Sequence, residues 1–108
     1  MQNRSLTLVR HAKSSSKTEG QPDHDRPLND RGNHDAPIMA KRLVERDCIP
    51  DLILCSSAKR TQETAAYFTE VFGFGEDKLW VSKSLYLCTP ETMLEQLAIA
   101  ESLSLIHI

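Results

Sequence analysis

Apolar and polar positions come in blocks along this chain, and the period inside each block changes. Leu6-Thr7-Leu8-Val9 and Leu52-Ile53-Leu54-Cys55 are short, largely apolar runs bounded by polar residues. Such runs read as strands, the second buried on both sheet faces, over residues 5–10 and 52–55. Elsewhere apolar residues recur every third or fourth position. Ala36, Met39, Ala40 and Leu43 share one face of a helix predicted from an Asn29 cap to about Arg46. Pro37 lies inside it and either kinks the helix or opens a new one capped by Asp35. Thr61, Thr64, Ala65, Phe68 and Phe72 mark the core side of a second helix, from Ala58 to about Phe72. Ser57 is its expected N-cap and Gly73 its stop. A weaker strand is predicted around residues 78–81. Thr89-Pro90 then opens a third helix with Met93, Leu94, Leu97 and Ala98 as its stripe.

The order strand, helix, repeated three times, predicts an α/β fold: three α/β/α layers, a mainly parallel sheet and right-handed crossovers. Residues 11–29 break the rhythm. They form a long polar connection with Ser14-Ser15-Ser16, Gly20, Pro22 and Asp23-His24-Asp25-Arg26-Pro27-Leu28. A loop of that length in a compact domain is functional or disordered. It leaves the end of the first strand, so it is placed to fold over whatever that strand end holds.

With 108 residues, the chain is bounded to a single domain. Charged residues are 26% of it but sum to only −2, so the basic excess expected of a nucleic-acid or anionic-membrane partner is missing. No apolar run is long enough to span a bilayer, and Met1-Gln2-Asn3-Arg4 carries no signal-peptide pattern, which gives a cytoplasmic expectation. Cys48, Cys55 and Cys88 are odd in number and lack C-x-x-C spacing. They read as reduced packing thiols, not a disulfide framework or zinc site. Asp23-His24-Asp25 lacks a distant third ligand, so neither metal nor cofactor is expected. His34 falls on a polar helix face and reads as solvated.

The chemistry concentrates at Arg10-His11-Ala12, where the first strand ends. Ligands of open parallel sheets bind at that edge. A guanidinium offers a planar fork to phosphate oxygens, and a neutral imidazole can attack phosphorus. Arg60 follows the second strand, in the first turn of the next helix, and would open on the same edge. Two guanidiniums and a helix N-terminus around one point make an anion site. The plainer alternatives are a salt-bridging Arg10, an ordinary loop histidine and a surface arginine.

Leu8-Val9-Arg10-His11-Ala12-Lys13-Ser14 resembles the opening motif of the histidine phosphatase superfamily, the phosphoglycerate-mutase-like fold. Ser56-Ser57-Ala58-Lys59-Arg60-Thr61-Gln62-Glu63-Thr64-Ala65 resembles its second motif. Asp25-Arg26-Pro27-Leu28-Asn29-Asp30-Arg31-Gly32, and Leu85-Tyr86-Leu87 before Thr89-Pro90-Glu91, are similar to the small branch typified by the phosphohistidine phosphatase SixA. The resemblance spans about residues 5–100. It implies His11 as the nucleophile that takes the phosphoryl group. Arg10 and Arg60 would clamp the phosphate oxygens and offset charge during transfer. Arg26 would add a third contact; its alternative is a salt bridge with Asp30 or Asp23. Ala12 stands where a glycine is common in the superfamily, a small change that still permits close approach.

Two departures bear on function. Many superfamily members place a carboxylate after the third strand to protonate an alkoxide leaving group, and Ser84-Leu85-Tyr86-Leu87-Cys88 has none. Imidazole is a better leaving group, so the absence favours phosphohistidine on a protein, such as a histidine-containing phosphotransfer domain. Glu91 stays open as an acid that swings in. Small phosphate esters are the alternative substrates. The family also carries a second catalytic histidine in a glycine-histidine-asparagine-like turn, and the chain ends Glu101-Ser102-Leu103-Ser104-Leu105-Ile106-His107-Ile108 without one. The expectation is a single domain over 1–108 whose C-terminal part is missing, with 101–108 as a tail outside the family pattern. The strand bearing that histidine would be absent, leaving an exposed sheet edge. A non-catalytic relative that only binds phosphate is the competing class.

Overall fold

The computed structural model describes residues 6–16, 20–99 and 105–108. Its strands and helices follow in the order β1 (Leu6–Leu8), α1 (Asp30–Glu45), β2 (Leu52–Ser56), α2 (Lys59–Phe72), β3 (Leu79–Ser82), α3 (Pro90–Ile99) and β4 (Leu105–His107). The strands form one sheet in the order β1-β4-β2-β3, and every pairing is parallel. The α/β architecture with a parallel sheet is therefore the one that the alternation of elements predicts.

β2 is buried at all five positions, and its first four residues are accordingly an unbroken apolar run, Leu52-Ile53-Leu54-Cys55. Ile53 and Cys55 pack with Ala40 of α1, Ala65 and Phe68 of α2, and Ile106 of β4. Cys55 is a packing group, and burial pushes its thiol up to about 11. Cys48 is exposed and Cys88 half-buried; all three are free thiols. No helix of the described residues is long and apolar enough to cross a membrane.

Local signals set most helix ends. Asn29 Oδ1 accepts from Gly32 N–H at 2.9 Å and caps α1. Pro37 sits within α1, which runs as one helix through it, so neither a break nor a second start at Asp35 occurs. Gly73 ends α2 at φ 72°, in the left-handed region that glycine enters without strain. Thr89 Oγ1 accepts from Thr92 N–H at 3.2 Å and caps α3.

Several expectations need correction. β1 covers residues 6–8 of the expected 5–10, and residue 5 lies outside the described residues. Ser57 does not cap α2: the cap position is Ala58, without a side-chain bond, because the Ser57 hydroxyl is taken by His24. Met39 is 45% exposed and Leu94 61% exposed, so these two stripes are only partly buried. The side chains of Leu97, Ala98 and His107 lie outside the described residues. Within the stretch expected as a tail, Leu105–His107 form β4 between β1 and β2, where Ile106 is fully buried. The described sheet therefore has β4 in its interior, with β1 and β3 as its two edges.

Candidate active site

All strands are parallel, so the chain leaves β1 and β2 on one edge of the sheet, with β4 between them. That edge carries two clusters. The first is the turn after β1. Arg10, His11, Ala12, Lys13 and Ser14 line an open cavity of about 320 Å³ together with Arg31 and Asp35 of α1. A second, more apolar cavity of about 210 Å³ adjoins it, lined by Val9, Met39, Thr64 and Phe68 and sharing Arg10, His11, Ala12 and Asp35.

His11 Nδ1 lies 2.7 Å from the Ala12 carbonyl oxygen. A carbonyl only accepts, so Nδ1 carries the proton. In the neutral ring this leaves the Nε2 lone pair unprotonated. Ala12 N–H donates to Thr64 Oγ1 at 3.1 Å, and that hydroxyl donates to the Arg60 carbonyl at 2.8 Å. The His11 turn is thereby fastened to α2 one helical turn beyond Arg60.

The polar connection is ordered into a lobe where it is described. Ser14 and Leu28 form an antiparallel bridge, Ser15 N–H donates to the Pro27 carbonyl, and Asn29 N–H donates to the Lys13 carbonyl. Glu63 of α2 accepts from Leu28 N–H at 2.9 Å. Gly32 is required by close approach: a Cβ there would stand 2.1 Å from the Lys13 carbonyl oxygen. The start of α1 thus packs directly on the backbone that follows His11.

The second cluster centres on Asp23. Arg60 is only 7% exposed; its guanidinium donates to the Asp23 carbonyl at 2.9 Å and to Asp23 Oδ2 at 3.1 Å. Arg26 donates to Asp23 Oδ1 from Nε at 3.0 Å and from its terminal nitrogen at 2.8 Å, and the Tyr86 hydroxyl donates to Oδ2 at 2.6 Å. The Tyr86 bond, with Arg26 and Arg60, holds the Asp23 carboxyl at about 2, against an ordinary 3.8. The same bond pushes the Tyr86 phenol up. Arg60 Nε is buried without a hydrogen-bond partner. Beside this network His24 meets Ser57 Oγ at 2.7 Å and packs edge-on against Tyr86.

Of the residues singled out by sequence, Arg10 and His11 share one cavity. Arg60 and Arg26 instead converge on Asp23, and neither lines that cavity. Arg26 makes the Asp23 salt bridge that was its alternative reading. Asp23 as hub and Tyr86 as its hydroxyl donor were not legible as site residues. Arg26 with Asp23 three residues before it was the one local hint. Among the described residues no group of three or more His, Cys, Asp or Glu is placed to hold a metal.

Known proteins resemble this chain in sequence and in fold. The sequence model of the histidine phosphatase superfamily (branch 1) matches residues 6–81. An uncharacterised chloroplastic protein of Arabidopsis thaliana is 42% identical over 84 residues, covering 77% of this chain and 38% of that protein. An uncharacterised protein of Mycobacterium tuberculosis is 34% identical over 89 residues, covering 82% and 52%. The chain thus spans between about two fifths and one half of these relatives' length. Among solved structures, a protein of Agrobacterium tumefaciens assigned as the phosphohistidine phosphatase SixA superposes with a TM-score of 0.88 at 30% identity, covering 99% of this chain and 70% of that one. The alpha-ribazole phosphatase of Shigella flexneri shares the fold, with a TM-score of 0.71 at 18% identity, covering 95% and 71%.

Proposed function

Because this chain belongs to the histidine phosphatase superfamily, we propose that it is a phosphatase acting through a phosphohistidine intermediate on His11, with phosphohistidine of a protein as substrate. The observation that carries this reading is the His11–Ala12 bond, which keeps the proton on Nδ1 and leaves Nε2 as the nucleophile. Nε2 forms a bond to phosphorus as the bond from phosphorus to the substrate nitrogen breaks. Water then attacks phospho-His11, releasing inorganic phosphate and restoring the imidazole. Arg10, beside His11 in the cavity, takes phosphate oxygens.

Arg60 is the second clamp in this reading. Its guanidinium has five N–H donors, and the unpartnered Nε is buried beside nitrogens already committed to Asp23. A buried donor without a partner is costly, and an anionic oxygen would satisfy it. Arg26 serves through Asp23 in this arrangement, as a positioning residue.

A P–N substrate is supported by what surrounds His11. The carboxylate on the cavity wall, Asp35, is engaged with Arg31 at 3.4 Å, and Glu91 does not line the cavity. Small phosphomonoesters are the second reading, favoured by that same Asp35, which is close enough to His11 to line both cavities with it. A phosphorylated histidine-containing phosphotransfer domain, incubated with the folded chain beside an aryl phosphate, separates the readings. Loss of phosphohistidine signal with the wild-type chain and not with His11→Ala is the expected result. Turnover of the aryl phosphate alone overturns the protein substrate. Turnover of neither overturns the enzyme and leaves phosphate binding only.

A further inference from the structure

The cavity beside His11 holds more positive charge than one phosphoryl group uses. Arg10, Lys13 and Arg31 line it, against one carboxylate among the described residues, that of Asp35. The chain as a whole carries a net charge of −2, so this cavity reverses the sign of the molecule locally. The juxtaposition is built into the fold. The Lys13 carbonyl accepts from Asn29 N–H at 2.9 Å, and the missing side chain of Gly32 lets the start of α1 seat on the Lys13 backbone. That contact brings Arg31 beside Lys13 despite their like charge. The Lys13 side chain makes no hydrogen bond or ion pair within the described residues, and Arg31 makes only its exposed 3.4 Å contact with Asp35.

We infer that Lys13 and Arg31 form a second anion subsite, next to the phosphoryl site, that takes carboxylates of an acidic segment flanking the phosphorylated residue of a protein substrate. The inference rests on the phosphatase reading and specifies its substrate. Arg10 and Arg60 answer the transferred phosphoryl group, and Lys13 and Arg31 remain over. A pocket for a small bis-anion would enclose its ligand. Here the Arg31 side chain is 78% exposed, so the carboxylates come from a surface laid against the cavity. Complementary charge at such a contact sets specificity and encounter rate more than raw affinity.

The test uses peptides carrying a non-hydrolysable phosphonate analogue of phosphohistidine, flanked by glutamates or by glutamines, with inorganic phosphate as a third probe. Binding to the full chain is measured by calorimetry at low and at high salt. The glutamate peptide is expected to bind about tenfold tighter than the glutamine peptide, and the preference should shrink as salt rises. In K13Q/R31Q the preference should fall to about twofold or less. In K13E/R31E it should invert in favour of a lysine-flanked peptide. Equal binding of the two peptides to the wild-type chain, or a preference that survives K13Q/R31Q, overturns the subsite. Absence of inorganic phosphate binding overturns the phosphatase reading itself, which separates the two failures.

Discussion

The Asp23 carboxylate meets the Arg60 guanidinium at 3.1 Å, and the Asp23 carbonyl takes a second N–H of the same group at 2.9 Å. One loop residue thus fixes a buried arginine of α2 through both its backbone and its side chain. The carboxyl sits at about 2 when folded, below its ordinary 3.8, so the folded state favours its ionised form. Stability from this group is fully present above about pH 3.8 and is lost as pH falls through about 2. Asp23→Asn is expected to be less stable than the wild-type chain at neutral pH, with the gap closing between about pH 4 and 2. Denaturant unfolding across that range checks it; a gap that stays constant with pH refutes the assignment.

Tyr86→Phe isolates the largest cause of that depression, the 2.6 Å bond from the Tyr86 hydroxyl. The Asp23 carboxyl should rise toward its ordinary value, and the acid limb of the stability profile should move to higher pH with it. Carboxyl titration of Asp23 by NMR reads the shift directly. An unmoved titration would transfer the effect to Arg26 and Arg60.

Arg60→Lys preserves charge and removes geometry. Lysine has one nitrogen and cannot hold the Asp23 carbonyl and carboxylate while offering a planar edge to phosphate. Phosphatase activity should fall about a hundredfold, the scale of losing one oriented donor to developing charge, with the far-ultraviolet spectrum unchanged. Full activity in Arg60→Lys would remove Arg60 from the phosphate clamp.

What the sequence made legible was local. Asn29, Gly73 and Thr89 act within a few residues of themselves, and each forms the cap or stop that its chemistry predicts. β2 was plain because burial on both faces leaves an unbroken apolar run. Ser57 fitted a cap equally well, yet its hydroxyl bonds His24, 33 positions away, and no propensity reports that. The Asp23 hub escaped for the same reason. Its partners Arg60 and Tyr86 lie 37 and 63 positions along the chain and meet it only once the sheet has formed. Arg10 and His11 were readable because adjacency in sequence already placed them together.

Gly32→Ala should be destabilising even though alanine is the better helix former. Propensity gains about 1 kcal/mol. Against it, the new Cβ would stand 2.1 Å from the Lys13 carbonyl oxygen, a backbone atom that cannot rotate aside. Overpacking of this kind costs about 1–3 kcal/mol, so the clash wins. Because Lys13 is two residues beyond His11, activity should fall along with the thermal midpoint. A stabilised Gly32→Ala would show that α1 does not seat on that backbone.

Thr64 tests how the His11 turn is held. Its hydroxyl accepts from Ala12 N–H at 3.1 Å and donates to the Arg60 carbonyl at 2.8 Å, and the residue is 1% exposed. Thr64→Val keeps the shape and deletes both bonds. The Arg60 carbonyl lies inside α2 and keeps its place in the helix. The Ala12 N–H loses its partner at a half-buried turn, a loss worth about 1–3 kcal/mol. That loss falls on the residue next to the nucleophile, so kcat should drop more than stability alone explains. Thr64→Ser keeps the hydroxyl and gives up only a methyl group, which costs packing and leaves the acceptor in place. Thr64→Ser should therefore hold its kcat with a lower thermal midpoint, and Thr64→Val should lose both. If Thr64→Val keeps its kcat while Thr64→Ser loses it, the methyl packing and not the Ala12 bond positions His11.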